Sequence, residues 1–211
     1  PPRPAHGRYG EEAAALMAVV LIGFADALAA PEAVFSLKAA GHDVRAFARR
    51  GGRPPILRWL DLGDAVEITP PETDAAAAVR DLEAAFAGGA FDLALGLDDV
   101  ALWLIDRAGL KAASATGPAL AYAIDKAKQI EAAAAAGLQT PPTVYARGPA
   151  DIPADLQYPA IVKPSLAAEL EGGALAKGGA FYLEGPADAA IIPVRTAEQA
   201  PFLVQPLIHG V

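Results

Sequence analysis

Residues 158–165 read Tyr-Pro-Ala-Ile-Val-Lys-Pro-Ser. Three apolar residues stand between two prolines and lead into a single lysine. Ile161 and Val162 suit a covered, pleated surface, and Pro164 keeps Lys163 out of the helical region and ends regular pairing. The stretch therefore reads as a buried strand that delivers one ammonium group at its end. An ammonium held there is a point charge with three donors, suited to a phosphate oxygen. A lysine that only snorkels into water would leave the same local signature.

The neighbouring segments decide between these readings. Upstream, Ile124-Asp125-Lys126 opens a helix-like run over residues 126–136 that stops at Gly137, followed by Leu138-Gln139-Thr140-Pro141-Pro142-Thr143. Downstream, residues 202–210, Phe-Leu-Val-Gln-Pro-Leu-Ile-His-Gly, read as a strand running into a connector. In this order the motifs resemble the ATP-grasp superfamily of ATP-dependent carboxylate–amine or carboxylate–thiol ligases. Its members show an Asp-Lys helix start, an Ala-Gly-hydrophobic-x-x-Pro turn, a Pro-hydrophobic-hydrophobic-Lys-Pro strand, and a strand ending in a Gln/Glu hinge and a glycine. The resemblance runs from about Ala18 to Val211 and is most specific between Lys126 and Gly210.

The resemblance implies roles for particular residues. Lys126 and Lys163 match the two lysines that contact ATP phosphates, and two cations from different elements are chemically able to clamp them. Gln205, Pro206 and Ile208 match the adenine hinge. There a side-chain oxygen and a backbone carbonyl accept from the exocyclic amine, and a backbone N–H donates to a ring nitrogen. Glutamate is the commoner residue at the position of Gln205. The family's glycine-rich loop is displaced, because residues 165–169 intervene and glycines come only at 172–173 and 178–179. A hairpin tipped by Gly172-Gly173 could act as a lid, with Ser165 or Lys177 reaching a phosphate, or be a turn with no ligand. Mg²⁺ is implied as well, with its carboxylate ligands beyond residue 211.

Composition narrows the class. The chain has 211 residues, 54% apolar and 20% charged, which is globular rather than disordered and large enough for a real core. Seventeen basic against 25 acidic residues give a net charge of −8. That opposes non-specific nucleic-acid or anionic-membrane binding without opposing a local phosphate site. With no cysteine there is no disulfide framework and no thiolate site, which is compatible with a cytoplasmic protein. Residues 13–23 imitate a signal peptide, but Glu11, Glu12 and Asp26 flank them and the run is too short for a membrane span. The chain begins at Pro1 and stops at Val211 with no visible terminating element, as expected of part of something longer.

Taken in order, residues 1–12 read as a loose, Pro/Gly-rich leader. Residues 17–23 are the continuous apolar run of a central parallel strand. A helix follows from Pro31 to Ala40 with Gly41 as its stop, then strands over 43–48, 65–69 and 91–97, a helix capped by Thr73 or Asp74, and one opened by Asp98 or Asp99. Residues 110–115 are a weak fifth strand and 117–123 a short helix. This alternation predicts an open parallel α/β domain over residues 13–120, Rossmann-like but without the three-glycine dinucleotide fingerprint. Residues 121–211 read as a partial α+β subdomain with a small antiparallel sheet over 144–147, 160–163, 180–183 and 202–205. Residues 187–199 stay ambiguous because Pro193 interrupts them. His42 and His209 lack partners at metal-ligand spacing.

The expected function is that of a fragment of an ATP-dependent ligase. It would activate a small carboxylate as an acyl phosphate for attack by an amine or similar nucleophile, the fragment itself being inactive. A non-catalytic nucleotide-binding module of the same fold is the alternative. Catalytic residues are expected beyond residue 211, and assembly as a homodimer stays open.

Overall fold

The computed structural model describes residues 17–208, so the expected leader, His209 and Gly210 lie outside it. Strands β1 (Val19–Gly23), β2 (Asp43–Arg49), β3 (Val66–Ile68) and β4 (Leu93–Gly96) form a parallel sheet in the order β3-β2-β1-β4. Successive strand residues point to opposite faces, and both faces are covered here. Val20, Ile22, Val44, Ala46 and Ala48 pack with α1 (Ala30–Ala39) and α2 (Pro55–Trp59). Leu21 and Phe47 pack with α3 (Ala75–Gly88) and α4 (Asp99–Arg107). Burial on both sides explains the unbroken apolar run in β1.

Local chemistry sets the helix starts. Asp74 caps α3 by accepting from the Ala77 amide at 2.8 Å, and Asp98 caps α4 by accepting from the Ala101 amide at 2.8 Å. The weak fifth strand shrinks to a single parallel bridge between Ala94 and Ala112. Helix α2 has no counterpart in the sequence reading, which assigns no element to residues 56–64. Gly23 is required by close approach: a β-carbon there would lie 2.0 Å from the Phe47 ring, which packs edge-on against Phe24 at 4.9 Å.

The second sheet is antiparallel, built from β5 (Val144–Ala146), β6 (Ala160–Pro164), β9 (Phe181–Leu183) and β10 (Phe202–Pro206) in the order β5-β10-β6-β9. One face, with Ala146, Ala160, Val162, Leu183, Phe202 and Val204, packs against Ile152 and Ile192. Those two residues follow short 3-10 turns at Pro149–Asp151 and Pro186–Ile191. The second turn resolves the ambiguous 187–199 stretch: helical only up to Ile191, and irregular through Pro193. Helices α5 (Pro118–Ile124) and α6 (Lys126–Ala135) join the two layers.

Between β6 and β9 a hairpin, β7 (Glu169–Glu171) and β8 (Ala174–Ala176), turns through Gly172 and Gly173 at φ +57° and +89°. Two successive positive φ values are the signature of a two-residue turn that favours glycine. This hairpin does not stand free as a lid. Gly173 accepts from the Ala75 amide at 2.9 Å, Leu175 donates to the Pro71 carbonyl at 2.8 Å, and the fully buried Leu175 side chain joins the core between the parallel sheet and α3/α4. At its base Glu169 is ion-paired with Arg195 and accepts from the Ala200 amide at 2.9 Å. Arg195 lies over the Phe202 ring at 4.3 Å.

Because Leu175 fills a core that belongs to the other sheet, Leu175→Ala should cost about 2–5 kcal/mol. Urea denaturation followed by Trp fluorescence and by far-UV circular dichroism checks this, and both probes should report one coincident transition.

Candidate functional site

On β6, Val162 and Pro164 point into the packed face, so Lys163 and Ile161 point to the other. Register places Leu203 of β10 opposite Lys163 and Gln205 opposite Ile161. Lys163 and Gln205 are therefore diagonal neighbours on one face, separated by roughly 7–8 Å as such pairs are. Tyr145 of β5 and Tyr182 of β9, both exposed, flank the same face, each directly opposite a residue of it.

A backbone zipper brings Lys126 to this strand end. The Lys126 amide donates to the Ser165 carbonyl at 2.8 Å, the Ala167 amide donates to the Ile124 carbonyl at 2.9 Å, and Asp125 bridges Leu166. Asp125 also caps α6 by accepting from the Ala127 amide at 2.9 Å. Ser165 is buried, and its amide donates to the Pro201 carbonyl at 2.9 Å. Lys177, just after β8, lies 4.0 Å from the Asp99 carboxylate.

The electrostatics reflect this convergence. Burial lowers the Lys126 pKa below the ordinary lysine value; the Asp99 and Asp125 carboxylates pull it up, and the Lys163 and Lys177 ammonium groups push it down. Lys126 thus shares its neighbourhood with Lys163, Lys177 and Asp99, an acid that the sequence places at the C-terminal end of a strand and at the start of a helix. Lys126 is also the first residue of a helix, where the macrodipole disfavours a cation. Such a site is short of an anion.

Gln205, only 7% exposed, donates from its amide nitrogen to Thr143 Oγ1 at 2.8 Å. Thr143 in turn donates its single hydroxyl proton to the Pro141 carbonyl at 2.9 Å. That commitment leaves Thr143 only the acceptor role toward Gln205, which fixes the amide so that its oxygen is the free end. Thr143 therefore orients a proposed hinge residue, a role visible only once the strands are paired. Pro206 pairs with Ala160, Leu207 donates to the Pro159 carbonyl at 2.8 Å, and Ile208 is 65% exposed.

A second polar group closes the C-terminal end of the parallel sheet. Arg49 binds both Glu72 oxygens, at 2.6 and 3.1 Å, reaches Asp26 at 3.4 Å and lies 3.9 Å over the Phe24 ring. Burial alone would lower the arginine pKa, but Glu72, Asp26 and Asp98 together raise it; Glu72 is held low despite its own burial by the hydrogen bond from Arg49. Among the described residues, no group of three or more His, Cys, Asp or Glu side chains could hold a metal ion, so this part of the chain does not fit a Mg²⁺ site. A broad depression of ≈ 1180 Å³ at the β3 edge, lined by Arg53, Arg58, Trp59 and Glu67 among others, shares no residue with the lysine group. Among the described residues no helix is long and apolar enough to cross a membrane.

In sequence the chain matches no family profile and no curated protein. In structure it is similar to the L-amino acid ligase from Bacillus licheniformis, with a TM-score of 0.59 at 17% identity over 92% of this chain and 45% of that one. It is also similar to the biotin carboxylase from Campylobacter jejuni, solved with a β,γ-ATP ligand, with a TM-score of 0.57 at 14% identity over 93% and 46%. A RimK domain ATP-grasp protein from Sphaerobacter thermophilus gives 0.51 at 16% identity over 92% and 65%. The chain spans about half the length of the first two, 45% and 46%. It has the fold of the amino-terminal part of ATP-grasp enzymes, with a parallel α/β sheet followed by antiparallel sheets.

Lys126→Met should raise the melting temperature at neutral pH, because it removes a half-buried charge and keeps the packed stem. The sign follows from the lowered pKa: between that value and about 10.4 the unfolded chain holds the extra proton. The burial penalty is therefore full below the folded pKa and vanishes as pH passes the unfolded one. Melts from pH 7 to 10.5 should show the gain of the variant shrinking toward zero.

Proposed function

We propose that this chain is the first part of an ATP-grasp ligase and that it binds ATP. Lys126 and Lys163 hold the phosphates, with Ser165 and Lys177 beside them. The Gln205 oxygen and the Pro206 carbonyl accept from the adenine amine, and the Ile208 amide donates to the ring. The observation that supports this reading is the main-chain zipper between Lys126 and Ser165, which brings the start of α6 to the end of the strand that carries Lys163 and pairs with the strand bearing Gln205. Cations crowded at a helix start and a strand end repel one another, and a polyphosphate offsets that charge.

ATP would supply the phosphoryl group that activates a small carboxylate as an acyl phosphate, with an amine or similar nucleophile as acceptor. The residues described here contribute binding and orientation. Lys163 and Lys126 offset phosphate charge, and Thr143 fixes the Gln205 amide for the base. The metal-holding carboxylates and the transfer itself are assigned to the part of the protein that follows. Turnover would place the protein among ligases; nucleotide binding without ADP release in the complete protein would make it a non-catalytic module.

Calorimetric titration with ATP of the longest natural form of the chain tests the reading, with GTP and NAD as controls. Lys163→Ala should weaken ATP binding by about 1.5–3 kcal/mol, roughly ten- to more than a hundredfold, without changing the fold. Failure of the wild-type protein to bind ATP would refute the assignment.

A pH dependence follows from Lys126. Phosphate beside it restores its charged form, so binding takes up a proton once pH exceeds its depressed pKa, and affinity falls as pH rises further. Repeating the titration in two buffers of different ionisation enthalpy at pH 7 to 9.5 measures that uptake. Lys126→Arg should abolish it.

A further inference from the structure

One carboxylate stands among the lysines without belonging to their part of the fold. Asp99 is the first residue of α4, in the parallel-sheet layer, whereas Lys126, Lys163 and Lys177 come from α6, β6 and the segment after β8. Capping does not account for it. The Asp98 side chain already accepts from the Ala101 amide at 2.8 Å. One turn along α4, Leu102 and Trp103 pack with Leu120, Ile124 and Ala167, which fixes this helix against the turn that opens α6. The outcome is an Asp99 oxygen 4.0 Å from the Lys177 ammonium, with the two side chains 35% and 58% exposed.

An ion pair this open to water contributes little to stability. Its effect on a ligand is larger. A carboxylate beside the Lys177 and Lys126 ammonium groups partly neutralises them before any anion arrives, and it repels a phosphate that enters the same space. Lys177 is exposed, so its side chain can swing away from Asp99 without leaving a buried contact.

We propose that Asp99 is an internal counter-anion, a positioning residue that holds Lys177 in the nucleotide-free protein and yields it when phosphates bind. This rests on the nucleotide reading above. Asp99 then sets how tightly the polyphosphate is held and couples the parallel-sheet layer to the occupancy of the lysine site. Lys177 changes partner, from carboxylate to phosphate, while Asp99 stays in place.

The test is titration of the wild type, Asp99→Asn and Asp99→Glu with ATP, ADP and adenosine at low and moderate salt, with melting temperature as the fold control. Asp99→Asn should bind ATP and ADP roughly three- to tenfold more tightly, with the gain shrinking as salt rises. Adenosine binding should not change, and Asp99→Glu should behave like the wild type. In a Lys177→Met background the gain should be smaller, because the latch has already been removed. Unchanged or weaker ATP binding by a folded Asp99→Asn protein overturns this proposal while leaving the nucleotide reading intact. A parallel loss of adenosine binding and melting temperature would mark a structural role and likewise overturn it. A wild-type protein that binds none of the three defeats both readings.

Discussion

Three backbone contacts between the turn that opens α6 and the segment leaving β6 hold the site together. Lys126 donates to Ser165, Ala167 donates to Ile124, and Asp125 bridges Leu166. They are made by main-chain atoms, so they do not depend on the identity of the lysines they bring together. The chain thereby separates two tasks: strand-like pairing fixes the geometry, and the side chains are left to supply charge. The charged lysine that suffers from this, Lys126, is the one whose pKa is depressed. A group destabilised by its scaffold in the absence of a partner is common at sites built to receive one.

How much of this was legible in the sequence depended on the range of the interaction. The apolar run of β1, a cap at residue 73 or 74, another at 98 or 99, and the turn at Gly172-Gly173 are written in neighbouring residues; the structure gives the caps to Asp74 and Asp98. The alternation of strands and helices gave the parallel layer, and residues 158–165 gave the strand carrying Lys163. What escaped depends on partners far away in the chain. Residues 110–115 have strand-like composition but find one bridge, to Ala94, on the outer edge of β4. Thr143 is an ordinary residue until β10 places Gln205 beside it, across 62 positions of sequence.

Asp98 and Asp99 make the same point at closer range. As adjacent acids before an apolar run they are interchangeable candidates for one cap. Backbone geometry gives the cap to Asp98 and turns Asp99 toward Lys177, so two equivalent letters acquire different surroundings. The Arg49 group is a similar case. Nothing in the residues around Arg49 names its partners, yet Glu72, Asp26 and the Phe24 ring gather around it at the mouth of the parallel sheet. Charge pairing between sheet-end loops leaves no local periodicity to detect.

The docked hairpin bears on the order in which the chain can become stable during synthesis. The strands and helices of the parallel layer are complete by about residue 112, but Ala168 and Leu175 are part of its packed interior. Until those residues leave the ribosome, the surface they cover stays open to water or to other proteins, the condition that invites chaperone binding or aggregation. An apparently independent amino-terminal half is thus finished by Ala168 and Leu175, translated long after it. Cutting the gene between the two sheets would yield a parallel layer with an unfilled core.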